Sequence, residues 1–314
     1  MRIVVIGSDG QLGSDLMRVL EGKHAIGLSH QNIEITDFLG SQKMLEEYSP
    51  DIIINTAAYN KVDDAEDEPE LAFQVNAFGP RNLALIAREL GATLVHISTD
   101  YVFNGAKTNP YFEWDLANPL SVYGASKLAG ENLVKIALRE HPYFIIRTSG
   151  LYGQAGSKAK RGNFVETILR LAEKRDKIFE VVNDQILTPT YTLDLAEKIV
   201  ELIMADKTNK KNFYNTYQGI CHITNNGSCS WYEFAKKIFE LAGLEMRVVP
   251  ISSKQFGAKA KRPGYSVLNN VYLRILDLKS MRPWQEALRA YLEETGRIKR
   301  GKTTPPLRPR SEAS

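Results

Sequence analysis

The sequence lacks a long apolar run and a leader of the secretory kind. None of its apolar stretches approaches the roughly 20 residues that a membrane-spanning helix needs. The N-terminal MRIVVIGSDG has too short an apolar stretch for a signal peptide and turns glycine-rich at once. With 314 residues, 43% hydrophobic and 25% charged, the composition is that of an ordinary globular protein. We therefore expect no membrane insertion and no secretory route.

Cysteine is scarce. The two cysteines, Cys221 and Cys229, do not form a CxxC pair, so the sequence offers no dithiol motif. With no sign of a secretory route, a reduced cytoplasmic location is the expectation.

The body of the chain also lacks an excess of positive charge. The formal net charge is +3, but residues 297–314 (RIKRGKTTPPLRPRSEAS) carry six Lys or Arg and one glutamate, or +5. Subtracting +5 from +3 leaves −2 for residues 1–296, which gives no sign of a nucleic-acid partner. The basic, proline-rich tail is expected to be disordered and solvated.

What the sequence does contain is a regular alternation of apolar strands with helices. The strand patterns are RIVVI (2–6), AIGL (25–28), DIIIN (51–55), TLVHIST (93–99) and YFIIRT (143–148). Parallel strands that are buried on both faces have such continuous apolar runs. The pattern predicts an α/β fold, a Rossmann-like doubly wound parallel sheet, over residues 1–150. Residues 151–296 are predicted to form a smaller, partly interleaved substrate-binding region, with some segments returning to the first domain.

The first chemical signal is a glycine-rich loop after the first strand. Gly7, Gly10 and Gly13 have the spacing GxxGxxG where a helix begins. Glycine lets the backbone approach a pyrophosphate, whose charge then lies at the helix N-terminus. A tight turn that needs positive φ angles would explain the glycines equally well. Their place after the N-terminal strand favours dinucleotide binding.

The end of the second strand bears on the choice of cofactor. A carboxylate there would bind the adenosine ribose and repel a 2′-phosphate. The chain has LSHQN at 28–32 instead, where Ser29 and His30 are able to bind a phosphate. NADPH is therefore favoured, and NADH remains an alternative because no arginine is present in this segment.

The second chemical signal combines a strand-end hydroxyl with a tyrosine–lysine pair. Thr99 ends an apolar strand, where open α/β sheets bind ligands. Tyr123 and Lys127, in SVYGASK, are one helical turn apart and share a face. A ketone that accepts a hydride needs a proton donor and a second group that holds its oxygen. We expect Tyr123 to donate the proton, Thr99 to hold the oxygen, and Lys127 to favour the phenolate and bind the nicotinamide ribose.

These motifs resemble those of the extended short-chain dehydrogenase/reductases, and in detail the dTDP-4-dehydrorhamnose reductase family. The further matching segments, in order, are INTAAYNKVDDAE (54–66), STDYVFNG (98–105), NPLSVYGASKLAGE (118–131), IIRTSGLYG (145–153), NFVETILRLAE (163–173), VVNDQILTPT (181–190) and KRPGYSVLNN (261–270). The matches extend over nearly all of residues 1–290. The resemblance implies NAD(P)H-dependent reduction of the 4-keto group of a nucleotide-linked deoxysugar, with dTDP-4-dehydrorhamnose as the expected substrate and dTDP-L-rhamnose as the product.

The resemblance also implies roles for single residues. The catalytic set is Thr99, Tyr123 and Lys127. With the three glycines, the cofactor set is Gly7, Gly10, Gln11, Leu12, Gly13, Asp37, Phe38, Ala57, Ala58, Tyr59, Tyr123 and Lys127. The substrate set is Thr99, Asp100, Tyr123 and Asn163.

One position departs from the family pattern. Gly150 stands where the family has a tryptophan that lines the substrate site. Loss of that ring predicts room for a bulkier or differently oriented sugar, unless side chains such as Tyr152 or Phe164 fill the space. Some family members bind Mg²⁺ at a subunit contact. Asp15 is the only suggestive match, so the metal remains unassigned, and a homodimer is one expected assembly.

Three alternatives share these motifs. A nucleotide-sugar dehydratase needs an Asp-Glu pair after the strand-end threonine, and here Asp100 and Tyr101 follow, which argues against it. An epimerase needs only the cofactor and the catalytic set. A non-catalytic regulatory subunit that resembles the methionine adenosyltransferase beta subunit would retain much of the same motif set. The last two remain open at the level of sequence.

Overall fold

A computed structural model describes residues 1–155, 162–173, 178–205 and 218–299. The strands of its main sheet are β1 (Ile3–Ile6), β2 (Ala25–Leu28), β3 (Ile52–Asn55), β4 (Thr93–Thr99), β5 (Tyr143–Thr148) and β10 (Gly219–His222). They lie in the order β2-β1-β3-β4-β5-β10, and every neighbouring pair is parallel. The predicted doubly wound parallel sheet is confirmed.

The apolar strands of this sheet are buried because helices cover both faces. All four residues of β1 are buried: Ile3 and Val5 face one hydrophobic core, and Val4 and Ile6 face the other. Successive side chains of a strand point to opposite faces, so one short strand contributes to two cores. This accounts for the continuous apolar runs in the sequence.

The helices are distributed over the two faces and the second half of the chain. They are α1 (Gln11–Val19), α2 (Phe38–Tyr48), α3 (Pro69–Phe73), α4 (Gly79–Leu90), α5 (Val122–Ala137), α6 (Phe164–Ala172), α7 (Thr192–Met204), α8 (Trp231–Ala242), α9 (Ser253–Phe256), α10 (Val271–Ile275) and α11 (Trp284–Glu294). A π-helical turn, Gln74–Phe78, joins α3 to α4, and 3₁₀ turns span Asp64–Glu66 and Asp100–Val102. Helices α1 and α7 pack on one face of the sheet, and α2, α4 and α5 pack on the other.

The order of the strands determines where a ligand fits. The chain passes from β1 outward to β2, and then crosses back beyond β1 to β3, β4 and β5. The strand order therefore reverses between β1 and β3, and open α/β sheets bind ligands outside the carboxyl ends of the strands at such a point. The glycine loop follows β1, and Thr99 ends β4, at this same edge of the sheet.

The second half of the chain builds three small strand pairs around an aromatic core. The pairs are β6 (Leu151–Tyr152) with β9 (Thr190–Tyr191), β7 (Phe179–Val182) with β12 (Val248–Ile251), and β8 (Ile186–Leu187) with β11 (Cys229–Ser230). Tyr152 contacts the rings of Tyr191, Phe234 and Tyr291. Strand β10 and helix α7 pack with the first half of the chain. The division at residue 150 stays a prediction.

Other sequence predictions concern the surface and the tail. Among the described helices, none is long and apolar enough to cross a membrane. Cys221 and Cys229 are both buried free thiols. The tail predicted to be disordered falls, from residue 300 onward, outside the described residues.

Candidate active site

The glycine loop is shaped by close contacts between backbone segments. Gly7 has φ +76°, a conformation that L side chains rarely adopt. A Cβ on Gly13 would lie 2.0 Å from the Gly7 carbonyl oxygen, so a side chain at Gly13 does not fit. Gly10 is the N-cap of α1 with φ −81° and ψ 175°. Because glycine has no side chain to cap the helix, the first amides of α1 remain available to an anion. Gln11 and Leu12 begin this helix, and the Gln11 Oε1 atom is buried without a partner.

The segment that follows β3 is fixed by asparagine side chains. The Ala57 amide donates to Asn55 Oδ1 at 3.1 Å. Asn76, in the π-helical turn, accepts from the Tyr59 amide at 2.9 Å and donates to the Tyr59 carbonyl at 3.0 Å. Asn76 also donates to Ser126 Oγ on α5 at 3.0 Å. This amide therefore ties the predicted cofactor segment, which includes Ala58, to the helix that bears Tyr123.

Asp37 and Phe38 have local structural roles at the start of α2. The Asp37 carboxylate caps the helix by accepting from the Gly40 amide at 3.2 Å, and Phe38 packs partly buried against the core. Near the end of β2, the Ser29 hydroxyl donates to Asn32 Oδ1 at 2.9 Å. His30 is exposed and lies 3.4 Å from Glu34. A role for any of these groups in cofactor binding stays a prediction.

Thr99 and Asp100 lie at the carboxyl end of β4. The Thr99 hydroxyl caps the following 3₁₀ turn by accepting from the Tyr101 amide at 3.2 Å, and it donates to Asp100 Oδ1 at 3.1 Å. The other carboxylate oxygen of Asp100 accepts from Ser149 at 2.8 Å and from Ser266 at 2.6 Å. Burial raises the pKa of Asp100 to about 6, against the lowering effect of the serine hydroxyls. Neither serine is among the predicted site residues, because the fold alone brings them to Asp100.

Tyr123 is held at the first turn of α5. Ser121 caps this helix by accepting from the Gly124 amide at 3.2 Å, and Glu66 accepts from the Val122 amide at 2.9 Å. A Cβ on Gly124 would lie 2.3 Å from the Tyr101 carbonyl oxygen, so the glycine lets the helix start close to the end of β4. The structure thus brings Tyr123 to Thr99, as predicted, within hydrogen-bonding reach of its hydroxyl.

Burial dominates the electrostatics of Tyr123. The sequence predicts that Lys127 favours the phenolate, but burial raises the pKa of Tyr123 to about 12, and the Thr99 hydrogen bond opposes this rise only in part. Burial disfavours the charged form of a phenol. In this structure the Tyr123 side chain is therefore a protonated phenol at neutral pH.

Lys127 is directed at the backbone of β4. Its side chain is buried, and its Nζ donates to the Ile97 carbonyl at 2.6 Å. Burial lowers the pKa of Lys127 to about 8, while the charge of Glu131 raises it. An ammonium has three donors, and the carbonyl takes one of them. Lys127 lies one helical turn from Tyr123, as predicted.

Asn163 is placed as a helix cap. Its Oδ1 accepts from the Glu166 amide at 3.0 Å at the start of α6. Its Nδ2 donates to the Gly153 carbonyl at 2.8 Å and to the Tyr291 hydroxyl at 3.2 Å. These contacts account for the burial of the side chain, and its role in substrate binding stays a prediction.

Comparison with known proteins identifies the family. The family described as the RmlD substrate binding domain matches residues 1–297. The chain belongs to this family. It is 42% identical over 297 residues to the spore coat polysaccharide biosynthesis protein SpsK of Bacillus subtilis, covering 93% of this chain and 97% of that protein. It is 38% identical over 290 residues to a dTDP-4-dehydrorhamnose reductase of Streptomyces griseus, covering 91% of each.

Solved structures of RmlD-type proteins agree with this assignment. A dTDP-4-dehydrorhamnose reductase from Clostridium acetobutylicum aligns with a TM-score of 0.86 at 41% identity, over 94% of this chain and 100% of that one. The corresponding protein from Bacillus anthracis, in complex with NADP, aligns with a TM-score of 0.84 at 41% identity, over 93% and 99%. A UDP-glucose 4-epimerase from Thermus thermophilus shares the fold at 20% identity, with a TM-score of 0.76 and coverage of 93% and 98%.

Gly150, where the resemblance implies a tryptophan in the family, has close neighbours on its Cβ side. Gly150 has φ +56°, and a Cβ there would lie 2.7 Å from Leu187 Cδ1 and 3.1 Å from Pro189 Cα. The strand segment around Leu187 therefore covers this position. Tyr152 and Phe164 do not fill it, because both belong to the aromatic core of the second half. The space next to Gly150 is thus taken by the Leu187 segment, and extra room for the sugar stays a prediction.

The residues near Asp15 do not fit a magnesium ion. Within the described parts of the chain, no group of three or more His, Cys, Asp or Glu side chains is arranged to hold a metal. The Asp15 carboxylate accepts from the Thr192 hydroxyl. Glu294 pairs with Arg18 and accepts from the Tyr191 hydroxyl. Since arginine and hydroxyl donors engage these carboxylates, no step of the chemistry is assigned to a metal.

Substitutions at the second and third glycines of the loop, Gly10 and Gly13, should have different effects. A Cβ on Gly10 meets only the Gly7 carbonyl oxygen, at 3.1 Å, and the Gly10 backbone suits valine. We expect Gly10→Val to keep a melting temperature near that of the wild type and to weaken NADPH binding about tenfold or more in a fluorescence titration. Gly13→Val, which clashes with backbone, should lower the melting temperature as well. Unchanged NADPH affinity in folded Gly10→Val would contradict the placement of the pyrophosphate.

Gly150 predicts a loss of stability when a side chain is added. Gly91 has a similar φ of +66° but no atom within 4 Å of an added Cβ, so Gly91→Ala isolates the cost of the backbone conformation. That cost is about 1 kcal/mol. Gly150→Ala adds the contact with Leu187, and Gly150→Trp adds far more volume, so urea denaturation should rank them as increasingly unstable. Equal free energies of unfolding for Gly150→Ala and Gly91→Ala would show that the Leu187 segment moves away from the added methyl group without loss of stability.

Proposed function

We propose that this chain catalyses the NADPH-dependent reduction of dTDP-4-dehydrorhamnose to dTDP-L-rhamnose, a step in the supply of a cell-surface polysaccharide precursor. The observation that carries the proposal is the meeting of Thr99 with Tyr123 at the sheet edge that also holds the glycine loop. Support comes from the family and from relatives that bear the reductase name.

The protein supplies a proton and a hydrogen bond that holds the carbonyl oxygen of the substrate. NADPH, when bound, supplies the hydride that adds to C4 of the sugar. Charge then develops on the carbonyl oxygen, where Tyr123 transfers its phenolic proton. The Thr99 hydroxyl, which turns from Asp100 Oδ1 to the substrate, donates a hydrogen bond to the same oxygen. A phenol that burial keeps protonated suits the reductive direction, because the group must give up a proton as the alkoxide forms. The resulting phenolate regains its proton from solvent after the product leaves.

Lys127 has two tasks in this proposal. Its charge stabilises the transient phenolate one helical turn away, and its remaining donors bind the nicotinamide ribose. The first task needs the ammonium form, and the second is stronger with it, because a charged donor makes the stronger hydrogen bond. With a pKa of about 8, that form predominates below pH 8 and is lost as the pH rises through this value.

NADPH is proposed in preference to NADH. The segment after β2 presents the Ser29 and Asn32 side chains rather than a carboxylate at the strand end. A carboxylate there would repel a 2′-phosphate. The Bacillus anthracis relative was solved with NADP. A cytoplasmic location, in keeping with two free thiols, and a homodimer complete the proposal.

The catalytic assignment predicts a specific defect. Tyr123→Phe removes the proton donor and keeps the ring, so steady-state turnover of dTDP-4-dehydrorhamnose should fall about 10²–10⁴-fold. NADPH affinity should change little. Tyr143→Phe serves as the control. Tyr143 is at the amino end of β5, away from the carboxyl ends of the strands where the site lies, so this variant should keep wild-type turnover. Turnover in Tyr123→Phe close to that of the control would refute the assignment.

The same assay separates the proposal from its alternatives. Wild-type protein is incubated with NADPH and a panel of 4-keto nucleotide sugars. Oxidation of NADPH with dTDP-4-dehydrorhamnose supports the proposal. Conversion of a nucleotide sugar into its epimer without net oxidation would indicate an epimerase. Absence of both reactions, together with retained NADPH binding, would indicate the regulatory role.

A further inference from the structure

A buried ion pair joins Arg147 to Glu131, which lies on α5 one helical turn after Lys127. Arg147 Nε donates to Glu131 Oε1 at 2.9 Å, and Arg147 Nη2 donates to Glu131 Oε2 at 2.7 Å. The two side chains are 3% and 0% exposed. Desolvation of two charges costs about as much as their attraction returns, so such a pair adds little to stability. Its presence at this place calls for another explanation.

The pair is built into the same helix face as the catalytic residues. Glu131 lies one turn after Lys127 and two turns after Tyr123 on α5. Ser98 donates to Glu131 Oε1 at 2.6 Å. The residue before it, Ile97, supplies the carbonyl that accepts from Lys127. Lys127 and Glu131 are thus anchored to consecutive residues of β4.

The surroundings of Lys127 make Glu131 the group that favours its charge. The titratable and charged groups nearby on its own helix and on the neighbouring segments are Tyr123 and Glu131 on α5, His96 on β4, Asp100 in the 3₁₀ turn and Arg147 on β5. Of these, Glu131 and His96 interact electrostatically with Lys127. Burial and the charge of Lys127 hold the pKa of His96 well below its usual range, so this imidazole is neutral. The Asp100 carboxylate is engaged by three hydroxyls. Of these groups, Glu131 is the one whose charge raises the pKa of Lys127, against the lowering effect of burial.

We propose that Glu131, held by Arg147 and Ser98, is a positioning residue that keeps Lys127 charged and aligned for the phenol and the nicotinamide ribose. This inference rests on the proposed function. Glu131 acts through Lys127 and does not itself touch the reacting atoms. The pair with Arg147 then fixes the direction of the carboxylate and limits how strongly its charge acts on Lys127.

Three variants separate the charge of Glu131 from its packing. Glu131→Gln keeps the volume, removes the negative charge and leaves Arg147 charged. Arg147→Met leaves Glu131 charged without its partner, with a side chain able to lie on the Phe103 ring that Arg147 now covers, at 5.1 Å from the guanidinium carbon. The double variant Glu131→Gln/Arg147→Met removes both charges, a change that buried pairs often tolerate. Glu140→Gln, an exposed carboxylate beyond α5, is the control.

The measurement is the dissociation constant for NADPH as a function of pH, followed by the pH profile of kcat/KM. In the wild type, we expect NADPH to bind most tightly below about pH 8 and more weakly as Lys127 loses its proton. Glu131→Gln should move the midpoint of this loss down by about one pH unit or more, because a carboxylate is replaced and a cation remains. Arg147→Met should move it up, and the double variant should lie between the two single variants.

A purely structural role gives a different pattern. Every variant would then lower the melting temperature or the maximal activity and leave the midpoint where the wild type and Glu140→Gln have it. That result would overturn the proposal. If Glu131→Gln does not fold, Arg147→Met decides: an upward shift supports the proposal, and an unmoved midpoint overturns it. Because NADPH binding needs no sugar, a failure of the proposed substrate would leave this test intact.

Discussion

The site depends on how closely helix α5 approaches the backbone of its neighbours. A Cβ on Gly124 would lie 2.3 Å from the Tyr101 carbonyl oxygen, and a Cβ on Gly130 would lie 2.1 Å from the Asn76 carbonyl oxygen. Both glycines therefore allow contacts that any side chain would prevent. The first contact brings Tyr123 to the end of β4. The second presses the helix on the π-helical turn whose asparagine holds the cofactor segment.

Much of this arrangement can be predicted from the sequence because its causes are local. Apolar runs of four to seven residues, each followed by a helix, specify a parallel sheet. A parallel sheet places the carboxyl ends of all its strands at one edge, which brings Thr99 close to the glycine loop. Helical spacing alone puts Tyr123 and Lys127 on one face. Each of these inferences needs only a short stretch of chain and a known geometry.

The rest could not be predicted because it depends on segments far apart in the chain. Asp100 gains its hydroxyl donors from residues 149 and 266, which the fold alone brings together. The space beside Gly150 is set by the path of residues 187–189, so a missing tryptophan does not by itself reveal an empty pocket. The raised pKa of Tyr123 follows from burial, which residue spacing cannot supply. Spacing identifies the chemical groups, and tertiary packing sets their charge.

The hydroxyl-lined carboxyl group of Asp100 has a consequence for thermal tolerance. Its pKa is about 6 in the folded chain and about 3.9 in an unfolded one. The folded chain thus holds this proton more tightly, so the free energy of unfolding falls as the pH rises from about 4 to about 6 and then stays level with respect to this group. Near neutral pH the carboxylate is a standing cost to the fold, which an uncharged amide of the same shape would avoid. For heat resistance near neutral pH, the substitution to choose at this position is therefore Asp100→Asn.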